Sequence, residues 1–148
     1  MKLHIPPNYF YLGMLLSVVL YLLFPRFNTI PFPYNLLGVP VLAAGFYIVI
    51  GSWKIFMHHG TSESYEEAAT TLVTGDLYRF SRHPMYVGAV LASIGLCITL
   101  QGNLLSFAGP VFIFLVLNFV FIPYEEEQML EKFGDAYHDY MHRVRRWI

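Results

Sequence analysis

The chain has 148 residues, of which 56% are hydrophobic and only 13% are charged, and its mean hydropathy is +0.50. This composition excludes a disordered chain, a collagen-like fibre and an ordinary soluble domain, in which about 25% of residues are charged. The net charge of −1 disfavours nucleic acid as a partner, and a single cysteine, Cys97, excludes an internal disulfide and a cysteine-cluster metal site.

Four apolar segments predict an all-α, polytopic membrane bundle, because a membrane span needs about 20 mostly apolar residues. They cover residues 9–24, 36–57, 85–100 and 104–122. The polar turn Gln101, Gly102 and Asn103 joins the last two segments, which predicts a helical hairpin. The first segment is too long for a signal-peptide core and no small-x-small site follows it, so we expect it to be a retained span. Residues 1–148 are predicted to form one domain.

The positions of lysine and arginine predict the orientation. With four spans, the N-terminus, the loop at 58–84 and the C-terminal tail share one side of the membrane. That side holds eight of the nine basic residues, and the other side holds Arg26 alone. The positive-inside rule therefore places both termini in the cytoplasm, at a bacterial inner membrane or an endoplasmic reticulum. The loop and the tail then meet on one face.

The tail, residues 124–147, is predicted to be an interfacial helix that folds over the cytoplasmic mouth of the bundle. Apolar residues recur in it at helical spacing and form one stripe: Met129, Phe133, Tyr137, Tyr140 and Met141. Acidic residues 125–127 lie in its first turn and arginines lie near its end, as the helix dipole favours. Gly134 interrupts the stripe and predicts a bend.

The start of the third span predicts an anion site. Pro84 suits the first helical position, which places His83 at the N-cap with Arg82 beside it. Free N–H groups and the positive end of the helix dipole at such a start bind carboxylates. Further along the helix, Gly88, Ala92 and Gly95 share one face and permit close approach of a helix or a ligand.

A purely structural role stays open on these residues alone. Arg82 and His83 could simply form the positive flank of a span. Acidic residues 125–127 are commonly a solvated first turn of a helix. The pairing of a cationic helix start with a carboxylate pair beyond the fourth span nevertheless suits a ligand that carries both a carboxylate and a cation.

The motif at residues 82–88, RHPMYVG, resembles the R-H-P-x-Y-x-G signature of integral membrane methyltransferases related to isoprenylcysteine carboxyl methyltransferase, with phospholipid N-methyltransferases as more distant relatives. The resemblance covers about residues 40–148. Its other members occur in the family's order: Gly60-Thr61, Leu72-Val73-Thr74-Gly75, Tyr78-Arg79, Pro123, Glu125-Glu126, Phe133-Gly134, Tyr137, Tyr140, Val144 and Arg146-Trp147.

This resemblance implies S-adenosylmethionine (SAM) as the methyl donor and no metal. By position, the family's cofactor-binding residues fall on Thr70, Thr71, Leu72, Val73, Tyr78, His83, Pro84, Met85, Tyr86 and Glu125, with Glu126 beside the last. Arg82, His83 and Tyr86 are the expected catalytic group, in which Arg82 adds a cation and His83 or Tyr86 could act as a base.

The methyl acceptor is expected to be an amphiphile or a lipid-like molecule that reaches the site from the bilayer. A prenylcysteine carboxylate is disfavoured, because the family's basic residue before the paired acids is absent from residues 120–124. A lipid amine or a thiol remains open. Two other hypotheses are an NADPH-dependent enzyme resembling sterol reductases, which share a similar R-H-P-x-Y-x-G motif, and a non-catalytic membrane scaffold.

Overall fold

The computed structural model describes residues 6–58 and 71–148. Within these two ranges all regular secondary structure is helical, which confirms the predicted all-α class. The α-helices are α1 (Pro6–Leu23), α2 (Gly38–His58), α3 (Pro84–Thr99), α4 (Ala108–Val116), α5 (Ile122–Phe133) and α6 (Asp135–Arg143). One π-helical turn, Leu117–Phe121, joins α4 to α5, so Leu105–Phe133 is one continuous helix.

Three helical segments are long and apolar enough to cross a membrane: Pro6–Leu23, Tyr34–His58 and Leu105–Phe133. They match three of the four predicted spans. The fourth predicted span forms α3, which has 16 residues and is shorter than a typical span. It nevertheless runs antiparallel along α2, because Gly38 lies against Thr99 at one end and Gly88 lies against Val49 near the other.

Glycines allow α2 and α3 to pack backbone to backbone. A Cβ atom on Gly45 would overlap the backbone of Ala92, and one on Gly95 would overlap the backbone of Leu42. The small-residue face predicted on α3 is therefore a helix-packing face. Such close approach stabilises membrane helices through dispersion contacts, since lipid supplies no hydrophobic drive between them.

Buried hydroxyl groups join α1 to α4. The hydroxyl of Ser17 donates to the carbonyl of Ser106 and the hydroxyl of Ser106 donates to the carbonyl of Ser17, each at 2.8 Å. Both side chains are fully buried, so these hydrogen bonds satisfy polar groups that lipid could not. At the N-terminal end of α1, the ring of Tyr9 packs against Phe121, which places that end beside the end of the fourth span.

The opposite end of the bundle is closed by a polar turn. Gln101 and Gly102 both have φ of 58°, and the Gln101 carbonyl accepts hydrogen bonds from Thr29 and Ile30. The fully buried Asn103 donates to the carbonyl of Phe24 at 2.8 Å. The predicted hairpin turn at 101–103 is therefore confirmed, and it is tied to the loop after α1.

The tail differs from its prediction at both ends. Pro123 does not separate the span from the tail, because the wide π turn before it relieves the clash between a proline ring and the carbonyl four residues earlier. The helical part ends at Arg143 rather than at 147, since Val144 is extended and the chain turns back towards α3. The bend at Gly134 is confirmed, with φ of 50° between α5 and α6.

We expect Gly45→Ala to lower the free energy of unfolding by about 1–3 kcal/mol, because the added methyl group overpacks a backbone contact that cannot yield locally. Gly51→Ala on the same helix is the matched control, since its nearest neighbour would be Leu77 Cδ1 at 3.6 Å. Thermal unfolding of the detergent-purified variants measures both effects. Equal melting temperatures for the two variants would contradict the packing described for α2 and α3.

Candidate active site

Five charged side chains meet where α3 begins and α5 leaves the bundle. We call Arg82, His83, Glu125, Glu126 and Arg146 the charge cluster. His83 is the N-cap residue of α3 and Pro84 its first residue, as predicted, so the polypeptide before the helix directs Arg82 and His83 to this end. The two glutamates lie in the first turn of α5, and Arg146 comes from the extended C-terminal residues.

Glu126 is the centre of the charge cluster. Its carboxylate lies 3.2 Å from Arg82 Nη2, 2.6 Å from Arg146 Nη2 and 3.4 Å from His83 Nε2. Only 7% of its side chain is exposed. A buried carboxylate is tolerated when several charged donors compensate its loss of hydration, and these three side chains supply them.

Glu125 is the more accessible carboxylate, with 25% of its side chain exposed. One of its oxygens accepts a hydrogen bond from the Tyr86 hydroxyl, and the other lies 3.3 Å from His83 Nδ1. The imidazole of His83 stacks on the ring of Tyr86 with centroids 5.6 Å apart. The aromatic pair therefore fixes the donors that face Glu125.

His83 is held in its protonated form. Burial alone would lower the pKa of His83, but hydrogen bonds to Glu125 and Glu126 outweigh burial and raise the pKa above its ordinary value. Both ring nitrogens face carboxylates, and an imidazole donates from both nitrogens only when it is charged. With His83 charged, the cluster holds three cations and two anions.

Arg82 carries donors that the described residues do not satisfy. Its side chain is only 9% exposed, and Nη2 contacts Glu126. The Nε and Nη1 atoms are buried and have no hydrogen-bond partner. Because leaving a buried charged donor without an acceptor is costly, these two nitrogens indicate that an anionic group belongs beside them.

Residues 144–147 form an extended segment, the C-terminal strap, that lies across the residues before α3. The backbone N–H of Arg82 donates to the carbonyl of Arg145 at 3.0 Å, and the hydroxyl of Ser81 donates to the carbonyl of Arg146 at 3.2 Å. These bonds place the Arg146 side chain on Glu126. The strap thus completes the charge cluster from the other end of the sequence.

The helix α6 packs its buried face against the segment before α3. The Tyr140 hydroxyl donates to the carbonyl of Tyr78 at 2.5 Å, and the Tyr78 hydroxyl donates to the carbonyl of Ser52 at 3.5 Å. Burial raises the pKa of Tyr140 to about 12, so this hydroxyl stays protonated and remains a donor. The members of the predicted apolar stripe are buried or half-buried, as expected: Met129, Phe133, Tyr137, Tyr140 and Met141.

The structure gathers some of the predicted site residues and separates others. Arg82, His83, Tyr86, Glu125 and Glu126 form the charge cluster and its aromatic neighbour. Pro84 is buried and Met85 half-buried in the first turn of α3, and Tyr78 directs its hydroxyl to α2. The remaining predicted residues precede the short helical turn Asp76–Arg79: Thr71 is exposed, Leu72 half-buried and Val73 buried. Thr70 lies outside the described residues.

Two features of the site were not predicted as site features. Arg82 and His83 were expected to face a ligand carboxylate, whereas the nearest carboxylates are Glu125 and Glu126 of the chain itself. Arg146 was also missed as a site residue, because its pairing with Glu126 depends on the path of the C-terminal strap. The sequence signal for it was a run of basic residues after two helices that begin with acids.

Comparison with known proteins adds a family to this geometry. The family model of phospholipid methyltransferases matches residues 33–136, which cover more than two-thirds of the chain and include most of the charge cluster. The chain belongs to this family. Family membership and the three long apolar helices make it an integral membrane protein of the methyltransferase class.

Curated relatives carry related names. Methanethiol S-methyltransferase 1 of Bradyrhizobium diazoefficiens is 34% identical over 68% of this chain and 35% of the relative. Methanethiol S-methyltransferase 2 of the same organism is 29% identical over 88% of this chain and 55% of the relative. An uncharacterized protein of Haemophilus influenzae is 38% identical over 43% of this chain and all of the relative. The chain thus spans between one-third and just over half of the two named methyltransferases.

The protonated state of His83 predicts a pH-dependent stability. Because its pKa is raised in the folded protein, the stabilisation from His83 is fully present below its ordinary pKa of about 6.5 and is lost as the pH rises through the folded value. We expect His83→Gln to flatten this part of the curve of melting temperature against pH. His142→Gln, an exposed histidine on α6, is the control and should follow the wild type. Parallel curves for all three proteins would contradict a charged His83.

Proposed function

We propose that the charge cluster binds SAM and that the protein transfers the methyl group of SAM to a small apolar thiol. The observation that carries the cofactor part is the buried guanidinium of Arg82, whose Nε and Nη1 atoms have no acceptor. The family supports methyl transfer as the reaction. The names of two relatives and the apolar surroundings of the site support the thiol.

The residues present fit the polar groups of SAM. Its carboxylate would supply the acceptor that Arg82 Nε and Nη1 lack. Its ammonium group and ribose hydroxyls would suit Glu125, which is the more exposed carboxylate of the pair. The ring of Tyr86 offers an aromatic face to a sulfonium cation.

When bound, SAM supplies a methyl group activated by the positive sulfonium, and the methyl–sulfonium bond breaks with its electron pair left on that sulfur as the methyl–thiol bond forms. The protein has to align the acceptor, exclude water and remove the thiol proton. The three cations and two anions of the charge cluster leave one positive charge, which favours an anionic thiolate over a neutral thiol.

Tyr86 and Glu125 are the groups best placed to take the thiol proton. His83 is already protonated between two carboxylates, so it cannot accept a proton at the outset. The Tyr86 hydroxyl can accept the proton while passing its own to Glu125, to which it donates a hydrogen bond. Glu125 then releases the proton to water through its exposed edge. In this proposal His83 stabilises the ionised pair rather than acting as the base.

An apolar groove between α3 and α4 supports an apolar acceptor. The groove has a volume of about 210 Å³ and is lined by Val90, Ile94, Phe107, Pro110, Val111 and Phe114. Val90 lies one helical turn from Tyr86, so the groove leads from the spans towards the charge cluster. With no charged residue among its lining, it suits an alkyl chain better than the carboxylate of a prenylcysteine or the headgroup of a phospholipid.

The orientation of the site follows the basic residues. The positive-inside rule places the loop at 71–83 and the C-terminal strap in the cytoplasm, where SAM is available. In this arrangement the acceptor comes from the bilayer and the cofactor from the opposite, aqueous side. The charge cluster lies where the two would meet.

Calorimetric titration of the detergent-purified protein with SAM tests the cofactor site. We expect the wild type to bind SAM and its demethylated product, and Glu125→Gln and His83→Ala to abolish binding, because each removes a charge from the cluster. Glu127→Gln is the matched control, since Glu127 is exposed and should retain binding. Unchanged affinity in both site variants would overturn the assignment, and binding of NADPH instead of SAM would replace it with a reductase.

The acceptor is tested by transfer of a labelled methyl group from SAM. We expect activity with methanethiol or ethanethiol, and rates at least about tenfold lower with a prenylcysteine or a phospholipid amine, because the groove offers no polar partner for their charged groups. Tyr86→Phe should reduce the rate more than it weakens SAM binding, because it removes a proton acceptor. A preference for the phospholipid amine would overturn the thiol and leave the SAM site intact.

A further inference from the structure

The cytoplasmic end of the apolar groove is closed by Trp147. The indole packs against Phe114, the groove residue nearest the site end of α4, with ring centroids 4.9 Å apart. Trp147, Val90 and Tyr86 all pack against one buried cluster of Ile113, Leu117 and Phe121. The indole therefore lies among the same side chains that separate the groove from Tyr86.

Trp147 is held at this place by a specific hydrogen bond. Its Nε1 donates to Asn118 Oδ1 at 3.0 Å. The strap before it is fixed by the bonds of Arg145 and Arg146 to the segment that precedes α3. The indole is thus attached both to the fourth span and, through Arg146, to the charge cluster.

Asn118 is an unusual residue for its position. It is the one polar side chain between Phe107 and Ile122, and it lies in the π-helical turn. An amide inside an apolar span is costly and requires a partner, and polar residues and π turns within spans are typical of functional sites. The packing of the bundle does not need this amide, whereas the placement of Trp147 does.

We propose that Trp147 is a specificity-determining residue that limits the size of the thiol passing from the groove to Tyr86. The proposal rests on the proposed function. The occupant of the groove is the alkyl group of the thiol, because the lining is entirely apolar and continuous along α3 with Tyr86. The indole narrows the passage, so small thiols pass and bulky ones are excluded.

Acceptor selectivity tests the role of Trp147. We expect Trp147→Ala to raise kcat/KM for phenylmethanethiol relative to ethanethiol by about tenfold, the discrimination that one or two carbon atoms provide in an apolar pocket. Trp147→Phe should lie between the alanine variant and the wild type. Asn118→Leu keeps the indole but removes its hydrogen bond, and it should shift the selectivity in the same direction. SAM affinity, measured by calorimetry, reports that each variant is folded.

Fluorescence gives a readout that does not depend on catalysis. In a Trp53→Phe background, Trp147 is the remaining tryptophan of the chain. We expect ethanethiol to quench its emission to saturation. Ile94→Phe, which fills the groove, should abolish the saturable phase. Val39→Phe adds the same ring size to an exposed position on α2 and should preserve it.

The outcomes separate this inference from the proposed function. If the wild type methylates thiols but Trp147→Ala and Asn118→Leu keep its size preference, Trp147 does not set specificity. If quenching is not saturable, or is equal in Ile94→Phe and Val39→Phe, the groove does not hold the thiol. If the wild type quenches saturably but methylates no thiol, the groove assignment stands and the proposed reaction fails.

Discussion

One buried carboxylate joins three distant parts of the chain. Glu126 contacts Arg82 and His83 before α3, belongs to α5 itself, and pairs with Arg146 of the C-terminal strap. Removing one partner from such a buried pair commonly costs about 3–5 kcal/mol, because a charge is then left without compensation. The folding of the tail and the assembly of the site are therefore one event. Glu125, which is more exposed, is left available for a ligand.

The rest of the bundle keeps this end in register. Backbone contacts at Gly45 and Gly95 fix α3 on α2, and the hydroxyls of Ser17 and Ser106 fix α1 on α4. The turn around Asn103 ties the opposite end. Because these contacts are tight and specific, movement that admits a ligand has to occur at the charge cluster, in the loop and the strap that close it.

Local chemistry made several parts of the structure predictable. Pro84 defines the start of α3, the small residues define its packing face, and Gly134 defines the bend in the tail. Each of these depends on residues close together in the sequence. The family signature likewise indicated the methyltransferase class, which the family match confirms.

Long-range pairing and backbone irregularity were not predictable in the same way. The contact between Arg146 and Glu126 spans twenty residues and requires the strap to turn back at Val144. The continuity of the helix through Pro123 depends on a π turn, for which the sequence carries no strong local signal. The separation of Tyr78 from the charge cluster likewise follows from how α6 packs, not from its place in the family motif.

The π turn at Leu117–Phe121 has a consequence for how this helix can vary in length. A π turn contains one residue more than an α-helical turn would place there. Deleting a single residue within it would restore regular helix but rotate everything that follows by about 100°. Glu125 and Glu126 would then face away from α3, although no side chain of the charge cluster had been altered. Substitutions in this stretch can be neutral, whereas an insertion or deletion of one residue would change the direction in which the carboxylates point.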